Sequence, residues 1–319
     1  MEARHPFPAP PEIPTPQWWR IGRVTIGFLM DIIALGRGPT DMMDALILTV
    51  VVEANVAPVS ADLELSVRYA TYDSPPPEDL RRPVSVNAIS GSLMLPYETV
   101  RRRIARMVEA GAMVSTPRGV YVPTAVVNNP DYLAAATARY ERLRRLYFEM
   151  KALGLLDAGL ERPNDVPGYD APPIRAANRA ISEYFLRMIE AVMRGVGDPL
   201  RGVIILEMGR ANAESLDAVD LQTEGPIPDD RRKPVSMLEL SRRIGLPAET
   251  VRRQVKKLIE LGMCRAVKGG CLAATERLGF TNDRGFNALA ENLKNLQRLF
   301  ARCATLGIVA HWEKEAAGA

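Results

Sequence analysis

Apolar and polar positions alternate along this chain with helical period, in stretches separated by glycine and proline. Residues 18–35 repeat apolar side chains at three- and four-residue spacing, which predicts an amphipathic helix that the segment 36–40 interrupts. Asp41 is placed to cap a second helix, expected to end near Asn55. Residues 57–79 carry many prolines and polar residues and read as loop, with a short strand near residues 63–69. Ser85 is a second cap, opening a short helix that ends near Leu93. Pro96 then suits the first turn of another helix, whose Val100, Ile104, Met107 and Val108 form one apolar face and which Gly111 stops. Residues 113–123, with Pro117-Arg118-Gly119 at their centre, predict a β-hairpin with a basic tip, and residues 131–153 a long helix.

The same succession then recurs. RRPVSVNAISGSLMLPYETVRRRIARMVEAGAMV from Arg81 aligns without a gap on RKPVSMLELSRRIGLPAETVRRQVKKLIELGMCR from Arg232, a shift of 151 positions. Leu95 to Arg102 and Leu246 to Arg253 share L-P-x-E-T-V-R-R, Gly111 matches Gly262, and Gly119 matches Gly270. Upstream, Arg37-Gly38 with Asp41 corresponds to Arg194-Gly195 with Asp198, and Ala54-Asn55 to Ala211-Asn212. Downstream, Leu143, Arg145 and Leu146 correspond to Leu296, Arg298 and Leu299, and Leu153-Gly154 to Leu306-Gly307. In the second copy Ser236 and Glu239 have capping-box spacing, the apolar face is Val251, Val255, Leu258 and Ile259, and the hairpin tip is Lys268-Gly269-Gly270. Long helices are expected over residues 174–196 and 282–306. A repeat of this length means two domains rather than a solenoid.

The expected fold is therefore mainly α with small β-hairpin wings, in two winged helix-turn-helix units packed through their flanking helices as a pseudo-dimer. Its divisions are a disordered proline-rich tail (1–16), a first unit (17–155, with helix-turn-helix and wing over 81–123), a linker (156–173), a second unit (174–310, with 232–274) and a tail (311–319).

Composition narrows the function. Three cysteines and two histidines leave little for a disulfide scaffold, a His/Cys metal site or a histidine triad, and no phosphate loop is visible, so no enzyme, cofactor or metal is expected. The apolar runs 24–35 and 45–52 fall short of a bilayer and read as buried core helices rather than membrane contact, and nothing resembles a signal peptide, so a cytoplasmic, nucleoid-associated protein is expected. The net charge of +3 conceals its distribution. Residues 81–123 hold seven Arg/Lys against two Glu, about +5, and residues 232–274 ten against three, about +7, so the remainder carries about −9. Basic charge gathered on the two winged segments is the footprint of a polyanion partner.

The candidate DNA-facing residues are Tyr97, Glu98, Thr99, Arg101, Arg102 and Arg106, with Arg118 on the first hairpin tip. In the second copy they are Glu249, Thr250, Arg252, Arg253 and Lys257, with Lys268 on the tip. Arginines at the start of a helix lying in the major groove reach guanine edges or phosphates. The competing reading is a solvated face on which Glu98 pairs with Arg102 and Glu249 with Arg253 at i,i+4. The copies differ at Tyr97 against Ala248, Arg103 against Gln254, and Ala105-Arg106 against Lys256-Lys257, which predicts an imperfect palindrome or two unlike half-sites.

The string L-P-A-E-T-V-R-R-x-x-x-x-L-x-E-x-G-M resembles the helix-turn-helix of GntR-type winged helix regulators. The order of the unit is similar to the MarR type, with leading helices, winged helix and a long trailing helix. The resemblance implies that Thr99, Arg101, Arg102, Thr250, Arg252 and Arg253 face DNA and that the outer helices make a dimer-like interface. The leading expectation is a sequence-specific regulator of transcription on double-stranded DNA, a monomeric pseudo-dimer with its effector, small molecule or protein, left open. The alternatives are a replication, partition or chromosome-architecture protein, and a protein-interaction adaptor. A redox role for Cys264 or Cys271, which flank the second wing, competes with that of small apolar fillers.

Overall fold

A computed structural model of the chain describes residues 16–37, 40–156, 168–217, 223, 225–277 and 287–318. It is mainly α-helical with two small antiparallel hairpins. The proline-rich segment ahead of residue 16, most of the expected linker (157–167) and the expected start of the last long helix near Asn282 lie outside the described residues.

The order is α1 (Pro16–Arg37), α2 (Met42–Ala61), α3 (Leu63–Arg68), α4 (Val86–Leu93), α5 (Tyr97–Glu109), β1 (Val114–Thr116), β2 (Gly119–Tyr121), α6 (Thr124–Val127) and α7 (Pro130–Ala152). Then come α8 (Ile174–Val196), α9 (Pro199–Ala213), α10 (Met237–Ile244), α11 (Ala248–Glu260), β3 (Cys264–Val267), β4 (Gly270–Ala273), α12 (Ala288–Thr305) and α13 (Ile308–Gly318). The caps follow local chemistry. Asp41 accepts from the Met43 and Asp44 amides, Ser85 from Ala88 at 3.2 Å and Ser236 from Glu239 at 3.1 Å. Only half of the expected capping box forms, because the Glu239 carboxylate accepts from Arg243 instead, at 2.8 Å.

The helices α1, α7, α8 and α12 form the body. α1 packs on α7 and on α12, while α8 packs on α12 and on α7, so each long helix of one half touches both halves. One core runs through them, with Phe28, Tyr140, Leu143, Tyr184, Phe300 and Trp312 among its buried members. α2 leans on α4, α5 and β2, and α9 on α10, α11 and β4, tying each helix pair and its hairpin to the body.

Three expectations change. Residues 57–79 are only partly loop: α2 continues through Pro58 to Ala61 and α3 follows over the segment expected as strand, while residues 69–77 are loop as expected. Burial of Val56 and Val59 outweighs the loss of one helical hydrogen bond at Pro58. Asp62 caps α3 through the Leu65 amide, and the buried Ser66 hydroxyl donates to the Val59 carbonyl at 2.7 Å. Residues 311–318, expected as tail, belong to α13, which carries Trp312 fully buried against Tyr140 and Tyr147. Of the described helices, α2 alone is long and apolar enough by length and composition to cross a membrane, and half of that stretch is buried inside the protein.

Candidate nucleic-acid interface

Each half places two short helices, a tight turn and a hairpin in the same geometry, held by the same main-chain bonds. Val84 bridges Val120 and Val235 bridges Cys271, so a third extended segment joins each hairpin at the 151-residue shift seen in the sequence. The contact is so close that a Cβ on Gly119 would stand 2.3 Å from the Val84 carbonyl oxygen, and one on Gly270 2.4 Å from that of Val235. Only glycine fits there. Ser90 donates to the Leu95 carbonyl at 2.7 Å, and Ser241 to that of Leu246 at 2.6 Å, fixing the turn between the helices.

A pair of fully buried asparagines anchors the arrangement. Asn55 donates to the carbonyls of Arg82 (2.7 Å) and Val120 (3.3 Å) and accepts from the Val122 amide (2.9 Å). Asn212 does the same to Lys233 (2.8 Å), Cys271 (3.1 Å) and the Ala273 amide (2.9 Å). The signal for both was an asparagine kept after alanine at the same place in each copy of the repeat.

The candidate surface lies on the exposed face of α5 and α11. Val100 and Ile104 are buried beneath it, as are Val251, Val255 and Leu258, whereas Ile259 stays exposed. Tyr97, Glu98, Arg101 and Arg102 are exposed, and Thr99 is half-buried; Glu249, Arg252 and Arg253 are exposed, and Thr250 is half-buried. The acidic residues pair one position earlier than the sequence suggested. Glu98 accepts from Arg101 at 2.7 Å and Glu249 from Arg252 at 2.7 Å, both i,i+3. These hydrogen bonds hold both carboxyls below the usual carboxylate range. Arg102 and Arg253 are thereby left without an ion pair to any described residue. Arg118 and Lys268 are exposed in the hairpin turns, away from the helix surface, with Thr116 Oγ1 accepting from the Arg118 amide at 3.2 Å.

Other basic residues are spoken for. Arg106 reaches Asp44 at 3.6 Å, and Lys257 pairs with Glu260 at 2.7 Å. Arg103 donates to Asp41 and Asp44, both at 2.6 Å, and Gln254 is buried and accepts from Arg201 at 3.1 Å. That position therefore holds the two helices of each half together and does not contribute to unlike reading surfaces. Arg232 is buried on Asp229 and the Ala273 carbonyl, Arg243 faces Glu214 and Glu239, and Arg265 faces Asp229 and Glu276. The local excess counted along the sequence is smaller in space, because Asp41, Asp44, Glu214, Asp229 and Glu276 fold back from outside the counted windows. What remains exposed and unpaired to described residues is Arg82, Arg102 and Arg118 within residues 81–123, and Lys233, Arg242, Arg253, Lys256 and Lys268 within residues 232–274. Arg82, Lys233, Arg242 and Lys256 were not among the expected site residues. The signal for Arg242 was its place on the polar face of an amphipathic helix.

Among the described residues no group of three or more His, Cys, Asp or Glu could hold a metal ion. Cys264 and Cys271 are free and buried on adjacent strands but not opposite each other. Burial pushes the Cys264 thiol up to about 12 and raises that of Cys271, away from the reactive thiolate. Comparison with protein-family models, curated proteins and solved structures finds no match to this chain.

Proposed function

We propose that the chain binds double-stranded DNA as a regulator of transcription, with α5 and α11 as reading helices of two winged helix-turn-helix units held as a pseudo-dimer by the shared helical body. The observation that carries this reading is the exposed, unpaired arginine at the same place on both helices, Arg102 and Arg253, one turn from the helix start. Each stands beside an arginine tied down by a glutamate. A planar guanidinium with no protein partner is suited to guanine or phosphate. Helix dipoles add to it, since the first turn of each helix carries a positive end.

The test selects bound sequences from random duplex DNA and titrates the preferred site at two salt concentrations. Arg102→Ala and Arg253→Ala should each cost about 1–3 kcal/mol of specific binding if they read a base. If they touch only phosphate, all sequences should weaken alike and the salt slope should fall by about one per arginine. Arg101→Ala and Arg252→Ala should cost less. A folded double variant lacking Arg102 and Arg253 with undiminished affinity would refute the proposed surface.

A further inference from the structure

A cavity of about 200 Å³ lies where α1 meets α9, α12 and β4 of the second half. Its walls are apolar, and Gly22, Gly209, Ala213 and Leu289 shape it. The first half has a counterpart at the corresponding positions of α8, α2 and α7, and there only about 50 Å³ is open. Under the shifts that relate the halves, Arg179 stands for Gly22, Val52 for Gly209, Val56 for Ala213 and Ser182 for Thr25. The Arg179 guanidinium fills the first site and is fixed there, donating to the carbonyls of Ser66 at 2.8 Å and Tyr69 at 2.9 Å. Three large-to-small differences, at Gly22, Gly209 and Ala213, open the site, against small additions at Thr25 and at Leu289, which stands for Ala136.

We infer that the second-half cavity binds one uncharged, largely apolar small molecule per chain, carrying a single hydrogen-bond acceptor such as a carbonyl. Apolar cavities of this size stay dry and take up aromatic molecules. The charged groups that line it are already matched. Glu291 pairs with Arg194 at 3.1 Å, and Arg23 donates to the Gly225 carbonyl at 3.0 Å. Asn292 donates to Thr25 at 2.8 Å and accepts from Tyr184 at 3.0 Å. A charged ligand would therefore lose its water with nothing to replace it. Two groups are unspent: Arg232 lines the cavity with its side chain 2% exposed and its Nε–H has no hydrogen-bond partner, and the buried Thr275 hydroxyl in the same wall has none either; one carbonyl oxygen has lone pairs for both. The ligand would touch the body helices and the strand β4 together.

The inference does not depend on DNA binding, and it is tested without DNA. The neutral naphthyl ketone dye prodan, titrated into the full chain, should bind at one site with a blue-shifted emission. On binding, amide hydrogen exchange should slow at residues 202–213 and 270–274 and not at residues 46–56 and 119–122. Ala213→Phe fills the cavity from α9, and Gly209→Leu does so from the preceding turn, where its Cβ meets only the end of Ile26 at 3.1 Å. Either variant, with a cooperative melt, should weaken the dye by about tenfold or more, as loss of the buried ring contacts requires. Absence of saturable binding by the unmodified chain, two sites per chain, protection in the first half, or unchanged affinity in a folded filled variant would each overturn it.

Discussion

In the first half an arginine on α5, Arg103, faces two carboxylates at the start of α2; in the second half the arginine is on α9, Arg201, and faces a carboxamide on α11, Gln254. The joint is the same and its polarity is reversed. Beside it the two asparagine clamps are alike bond for bond. The difference shows which parts of a repeated unit are free to drift. A side chain that satisfies buried backbone groups has no substitute of the same shape, whereas a pair at a half-exposed joint can exchange partners whenever both change. The halves also differ in how their cores connect. The first helix pair and its hairpin are built on their own cluster, around Ile47, Val51, Ile89, Val100 and Val120, while Leu240, Val251 and Leu258 of the second pair belong to the core of the body.

The clamps should give the largest effects. Asn55→Ala and Asn212→Ala each strand three buried main-chain groups and should cost about 2–4 kcal/mol. Their consequences should differ in reach. Asn55→Ala should speed hydrogen exchange over residues 86–122 while the body keeps its protection, and Asn212→Ala should lower the global denaturation midpoint. Equal and global loss in both would erase the distinction between the two cores.

Glu53 and Arg210 occupy equivalent places with opposite charge. Burial, with Glu183 adding to it, pushes the Glu53 carboxyl up to about 7, against the pull of Arg179, Arg302 and Arg187. A carboxyl whose folded value lies above its unfolded value stabilises fully below the unfolded value and loses that contribution as pH rises. The window runs from about 4.5 to about 7. Glu53→Gln should remove this slope and raise stability near pH 8 by up to about 3 kcal/mol, less where water screens the partly exposed side chain. Urea midpoints near pH 5 and pH 8 measure it, and an unchanged slope would contradict the assignment.

The reversed joint is tested by a cycle. Arg103→Gln leaves Asp41 and Asp44 facing each other and should cost about 1–2 kcal/mol. Adding Asp44→Arg rebuilds the second half's pairing in the first and should recover most of that loss, a coupling read as the non-additivity of the two changes. The smallest effect is expected at the turns. Met94 holds the left-handed conformation, φ 48°, that Gly245 holds in the second half with φ 65°. Met94→Gly should stabilise by about 0.5–1 kcal/mol in thermal melts. Gly245→Met should cost a similar amount, through the left-handed backbone alone, since its Cβ would meet only the movable end of the Arg37 side chain.

What could be read in the sequence was local. Asp41, Ser85 and Ser236 cap helices because the capping bond spans three residues, and Gly111 and Gly262 stop helices with φ of 74° and 67° because no other residue enters that region freely. What escaped depends on residues far apart in the chain. Pro58 sits inside α2 because burial on both sides outweighs its propensity, and Trp312 makes a helix of the C-terminal segment because Tyr140 and Tyr147 lie against it. The candidate surface was legible as a face and a motif. Its free charge was not, since the acids that neutralise Arg103, Arg243 and Arg265 come from other segments.

The crossed packing of α1 on α12 and of α7 on α8 has a consequence for dilution. Two separate subunits joined by such helices would part as their concentration fell, and their melting temperature would fall with it. Here the contact is within one molecule, so the body should melt at the same temperature at any concentration. Neither half can be exchanged for a defective copy from another chain, and each change in one half is always inherited together with the same unaltered partner.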